Sequence, residues 1–157
     1  MSDATDSTTG TAHAFSGSYE RAVDPKGRFN LPFRHRRKGK GKAQRDAYKV
    51  TLGVEGYLSV YPLEIWDEVF QTARANATTA EEQALIRHLS ANTYDLVPDK
   101  QGRVMVPVHL LASVGIDKKV YVVGYGDHLE LWDTDVYTAH QEKNLRMDTD
   151  FLRRYFT

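Results

Sequence analysis

Apolar and polar residues alternate in short runs along this chain, and the runs come in the same order twice. Residues 17–23 and 29–31 read as strands, the second ended by Pro32, which has no N–H to give a ladder. Residues 48–52 and 57–61 flank Gly53-Val54-Glu55-Gly56 and predict a hairpin; residues 120–123 and 129–132 do the same around Gly124-Tyr125-Gly126-Asp127. After each hairpin the apolar period changes to that of a helix. Pro62 opens the first, at a position where a missing N–H costs little, and Trp66, Val69, Phe70 and Ala73 fall on one face. Thr79 and Glu82 form a capping-box pattern that starts a second helix, with Leu85, Ile86 and Leu89 on its apolar side. That helix covers a sheet edge or meets a neighbouring subunit. Asp133 or Thr134 caps a third, which carries Val136 and Tyr137. Residues 145–157 mix Phe151, Leu152, Tyr155 and Phe156 with Arg146, Arg153 and Arg154, and read either as a docked helix or as a tail.

The duplication extends to identity. Asp24-Pro25-Lys26-Gly27-Arg28-Phe29-Asn30-Leu31-Pro32 returns as Asp99-Lys100-Gln101-Gly102-Arg103-Val104-Met105-Val106-Pro107, 75 positions later. The hairpins match at an offset of 71, so the first half holds four extra residues in the intervening basic segment. An exposed loop accepts such an insertion cheaply. The organisation this predicts is a disordered tail at 1–14, a first repeat at 15–74, an inter-repeat helix at 75–91, a second repeat at 92–144 and a C-terminal segment at 145–157. Four short strands and a helix bury too little apolar area to offset their ordering cost. The two copies are therefore expected to interlock into one pseudo-symmetric barrel.

Charge changes the picture more by its distribution than by its sum, which is zero. Residues 21–46 contain ten Lys and Arg against two Asp, which is +8 and leaves −8 for the rest. The densest part is Arg34-His35-Arg36-Arg37-Lys38-Gly39-Lys40-Gly41-Lys42. It reads as a phosphate-tracking loop or, equally, as a solvated one. The chain has no Cys, which excludes disulfides and thiolate metal sites and fits a reducing cytoplasm. No apolar run approaches the roughly 20 residues needed to span a bilayer, so no membrane partner is expected. The six His show no metal-ligand spacing and no nucleophile or Walker-type motif is present. Neither an enzyme nor a cofactor or metal is expected.

The candidate chemistry lies in the duplicated turn. Asp24 can accept backbone N–H bonds within it, Gly27 permits a positive φ, and Arg28 leaves it braced by the carboxylate. A braced guanidinium suits a guanine edge or a phosphate. Asp99, Gly102 and Arg103 repeat the arrangement, with Gln101 in place of Lys26. The competing reading is a structural ion pair that only closes a tight bend.

These residues resemble a known family. Phe15-x-Gly17, the Asp24 to Arg34 run and Leu58-x-Val60-Tyr61-Pro62-x-x-x-Trp66 are similar to the first repeat of MraZ proteins. Asp99-x-x-Gly102-Arg103-Val104-x-Val106-Pro107, then Val123-Gly124 and Glu130-Leu131-Trp132-Asp133, resemble the second. Leu110-Leu111 departs from the pattern, standing where the family commonly has Leu-Arg. The resemblance implies a β-rich α+β fold, in which two AbrB/MraZ-like repeats form a double-split, swapped-hairpin β-barrel with flanking helices. It implies a cytoplasmic, nucleoid-associated transcriptional regulator. Such a protein binds double-stranded DNA at direct promoter repeats of the division and cell-wall genes, as a ring-shaped homo-oligomer and usually a repressor. The DNA-binding elements it implies are the two turns, Asp24 to Arg28 with Lys26 and Gly27, and Asp99 to Arg103. The cationic stretch beside the first turn, longer and more basic than the family's, separately makes Lys26, Arg34, Arg36, Arg37 and Lys38 the candidates for holding phosphates. An AbrB-fold antitoxin-like protein or a ring-forming interaction module remains as the alternative.

Overall fold

The computed structural model describes residues 15–32 and 47–156. The tail expected at 1–14 and the basic residues Arg34, Arg36, Arg37 and Lys38 lie outside the described residues. In chain order the elements are β1 (Ser18–Ala22), β2 (Arg28–Asn30), β3 (Tyr48–Leu52), β4 (Leu58–Pro62), α1 (Leu63–Asn76), α2 (Ala80–Ala91), β5 (Tyr94–Leu96), β6 (Arg103–Met105), α3 (Val108–Ser113), β7 (Lys119–Tyr125), β8 (His128–Trp132), α4 (Thr134–Asn144) and α5 (Thr149–Phe156).

Six strands form one antiparallel sheet in the order β1-β7-β8-β4-β3-β5, and β2 pairs with β6 in a separate two-stranded ribbon. The strand before each duplicated Asp-x-x-Gly-Arg turn crosses to the other half. β1 of the first repeat lies on β7 of the second, from Ser18 opposite Val123 to Ala22 opposite Lys119. β5 of the second lies on β3 of the first, Tyr48 opposite Leu96. The two hairpins join through β4 and β8, Leu58 opposite Leu131. The halves thus interlock as their size requires.

The expected barrel is not closed by hydrogen bonds. The ladder ends at β1 and β5, and the ribbon stands apart from it. Strand length and punctuation explain this. β2 and β6 have three residues each, every one of them entered from a tight turn and left by a proline at 32 or 107. Such short strands can pair with each other but not extend into a neighbouring ladder.

What the ribbon does is cap the core. Alternation sends Phe29, Leu31, Val104 and Val106 inward, all at most 6% exposed. They share one apolar cluster with Val50, Val60, Val120, Val122, Leu129 and Leu131 from the sheet. α3 adds Leu110 and Leu111 to the same cluster, so the leucine at 111 is a core residue beneath the first turn. Truncating any such side chain removes its burial and leaves a cavity, typically about 2–5 kcal/mol for a leucine.

The helices begin where their caps dictate. Pro62 precedes α1. Thr79 and Glu82 complete the capping box of α2, each side chain bonded to the other's backbone N–H. Asp133, rather than Thr134, caps α4 by accepting from the Val136 N–H at 3.0 Å. The C-terminal segment is a helix, α5, and every residue from 142 to 156 is exposed.

Candidate nucleic-acid interface

Each duplicated turn is built from one carboxylate and one glycine. In the first, Asp24 Oδ1 accepts from the backbone N–H of Lys26 and of Arg28, both at 2.9 Å. Its Oδ2 accepts from Arg28 Nε at 2.7 Å. The Gly27 N–H bonds the Asp24 carbonyl and the Asp24 N–H bonds the Arg28 carbonyl, at 2.9 and 3.0 Å. The second turn repeats every bond. Asp99 Oδ1 accepts from Gln101 and Arg103 N–H at 2.9 Å, and Oδ2 from Arg103 Nε at 3.1 Å. The same two backbone bonds close it.

The glycines are needed at φ +85° for Gly27 and +81° for Gly102, where a side chain is strained. At Gly27 there is also no room: a Cβ would collide with the Val106 carbonyl. The close approach serves a bond. The Val106 N–H donates to the Gly27 carbonyl at 3.0 Å, and Leu31 N–H donates to the Gly102 carbonyl at 3.0 Å. Each half's turn is thereby fixed by the strand of the other half.

Both carboxyls are held below the ordinary aspartate value. For Asp24 the main causes are the backbone N–H and then the side chain of Arg28; for Asp99 the backbone N–H of Arg103 leads. The guanidiniums stay accessible, with side-chain exposures of 40% for Arg28 and 43% for Arg103. Nε is the atom used on the carboxylate, so the outer edge of the planar fork is what points away from the brace.

Sequence separation hides how close these groups are. Register places Arg28 opposite Met105 and Asn30 opposite Arg103. The two turns, 75 positions apart in sequence, are therefore opposite ends of one ribbon. The structure brings together Asp24, Lys26, Gly27, Arg28, Asp99 and Arg103; Lys26 is exposed at the first turn. Arg34, Arg36, Arg37 and Lys38 lie outside the described residues. Asn30 and Met105, which share the exposed face, were not among the residues expected. The signal that could have found them is the period-two spacing Arg28-x-Asn30 and Arg103-x-Met105, once the two strands are known to pair.

Another titratable cluster lies at the start of β8, with His128 and Glu130 largely covered and Asp127 at the surface. Glu130, buried, accepts from Trp132 Nε1 at 2.8 Å, and His128 Nδ1 lies 2.8 Å from Asp127. Burial lowers the His128 pKa, but its bonds to Glu130 and Asp127 outweigh that and raise it. Among the described residues no group of three His, Cys, Asp or Glu is placed to hold a metal ion. Among them, too, no helix is long and apolar enough to cross a membrane.

The fold and site define a class: a tandem-repeat α+β protein whose repeats exchange strands and present one pair of arginine-bearing turns. The family model described as "MraZ protein, putative antitoxin-like" matches residues 14–88 and again 89–153. The chain belongs to the MraZ family. Among curated proteins it is similar to the "Transcriptional regulator MraZ" of Heliobacterium modesticaldum, 34% identical over 82% of this chain and 87% of the relative. It is also similar to that of Burkholderia mallei strain SAVP1, 34% identical over 91% of this chain and 99% of the relative. The protein of the same name from Lachnoclostridium phytofermentans is 28% identical over 90% and 96%.

Proposed function

We propose that this protein is a DNA-binding transcriptional regulator that reads duplex DNA with the β2–β6 ribbon. The observation that carries the reading is the pair of identically braced guanidiniums on one exposed two-stranded element. A two-stranded ribbon fits a major groove about 12 Å wide. The names of the relatives support regulation of transcription. Arg28 and Arg103 contact base edges, Lys26 and the basic residues 34–42 hold phosphates, and Asp24 and Asp99 act by orienting the arginines.

In the fuller form of this reading the protein works in the cytoplasm on the nucleoid. It assembles into a ring and represses the division and cell-wall genes from direct repeats in their promoter. A ring of identical subunits joined head to tail presents its ribbons with one polarity, which suits boxes of one orientation. Each ribbon binds weakly alone, and several on one ring gain from high effective concentration. Exposed apolar side chains such as Val69, Leu85, Phe151, Tyr155 and Phe156 leave surface for subunit contacts. The test is footprinting of the full chain on that promoter at two salt concentrations. The expected result is protection of evenly spaced same-sense boxes, weakening as salt rises. No protection at low salt would overturn the reading.

A further inference from the structure

The exposed face of the ribbon holds four side chains, and only two are arginines. Arg28, Asn30, Arg103 and Met105 alternate with the buried Phe29 and Val104. Register sorts them into two rows. One row sets Arg28 beside Met105, and the next sets Asn30 beside Arg103. Residues two apart on a strand are about 6.8 Å apart, and successive bases on a strand about 3.4 Å. The rows therefore stand about two base-pair steps apart, each pairing one braced arginine with one different neighbour.

Both neighbours face solvent. Asn30 is exposed, and its amide makes no hydrogen bond among the described residues. Met105 is 58% exposed on a strand whose inward neighbours are closely packed. A flexible apolar side chain held in water beside two cations gains nothing for the fold; it gains on meeting an apolar partner.

We propose that Asn30 and Met105 are specificity-determining residues: Asn30 reads adenine beside the base contacted by Arg103, and Met105 packs on the thymine methyl group beside the base contacted by Arg28. The chemistry follows from what each base pair shows in the major groove. An asparagine amide donates to adenine N7 and accepts from its N6 amino group, and the C5 methyl of thymine is the apolar feature there. The arginines supply the matching guanine contacts through O6 and N7. The pseudo-symmetry of the turns is thus broken in the recognition face by one polar and one apolar partner. Each ribbon reads a short asymmetric box and gives it a direction.

This inference rests on the DNA-binding reading, and the experiment separates the two. The full chain is used to select duplexes from a randomised library, alongside Asn30→Ala and Met105→Ala. Both side chains are exposed, so the variants keep the core. The wild type is expected to enrich one motif. Asn30→Ala should lose the adenine preference at one position, and Met105→Ala the thymine preference at another, with the remaining positions unchanged. In the wild type, uracil in place of that thymine should weaken binding by roughly threefold or more, since only a methyl is removed; Met105→Ala should not respond to the replacement. The expected loss for Asn30→Ala on the selected duplex is about tenfold. Unchanged motifs in both variants would overturn the assignment while leaving DNA binding intact. Failure of the wild type to enrich any duplex would instead overturn the DNA-binding reading itself.

Discussion

The two turns share every hydrogen bond and differ in almost everything around them. Asp24 and Asp99 each collect two backbone N–H groups and one Nε, at distances within 0.4 Å of each other. Yet Lys26 faces solvent where the second turn has Gln101, and the charge-rich segment 34–42 follows only the first. Past the second proline, α3 instead turns Leu110 and Leu111 into the core. The comparison teaches that the geometry of the turn was held in both copies while the charge around it was free to differ. Backbone bonds fix where an arginine points, and a glycine at positive φ is needed in both halves. Cations outside that frame raise attraction to phosphate without altering aim.

The sharpest way to break the comparison is at the shared glycine. Gly27→Ala should lose roughly 1–3 kcal/mol of stability from backbone strain alone. The collision with the Val106 carbonyl adds to that, so urea denaturation should show a large drop and duplex binding should fail with it. Gly102→Ala, at φ +81°, should share the strain. Next come the arginines. Arg28→Ala and Arg103→Ala should each weaken binding by roughly 1–3 kcal/mol per engaged site and blur sequence preference in a gel-shift titration. A loss at Arg28 alone would show that the second half stands clear of the duplex. A smaller effect tests the charge difference. Gln101→Lys should raise affinity for all sequences alike and steepen the slope of log K against log salt by about 0.9.

The smallest effect concerns the braces. Both carboxyls titrate below the ordinary value of 3.8, so their contribution is fully present above that pH and is lost as the pH falls through their lower folded values. Carboxyl-carbon NMR should show this for both. Arg28→Ala should return Asp24 only part of the way, because the backbone N–H of residue 28, the larger cause, survives, and should leave Asp99 unmoved.

Much of this was legible before the structure. The Asp-x-x-Gly-Arg repeat predicted both turns and their braces, because Asx turns and positive-φ glycines are local chemistry. The capping box at Thr79 and the hairpins around residues 53–56 and 124–127 were legible for the same reason. Long-range pairing was not. Nothing in the residues 18–22 says that they lie on β7, or that β2 meets β6 with Arg28 opposite Met105. Register depends on which faces pack together, and one residue of slip would exchange the arginines with Phe29 and Val104. That is why Asn30 and Met105 escaped notice, and why a shared swapped-hairpin barrel was expected where the ladder stops at β1 and β5.

The mutual bonds from Val106 to Gly27 and from Leu31 to Gly102 carry a consequence for how such a molecule could arise or be divided. Neither half contains its own clasp. A polypeptide holding a single copy would keep the brace between its own Asp and Arg, but would have to recruit a second copy before its turn was anchored. Carrying both copies on one polypeptide makes that partnership permanent and lets the two faces differ.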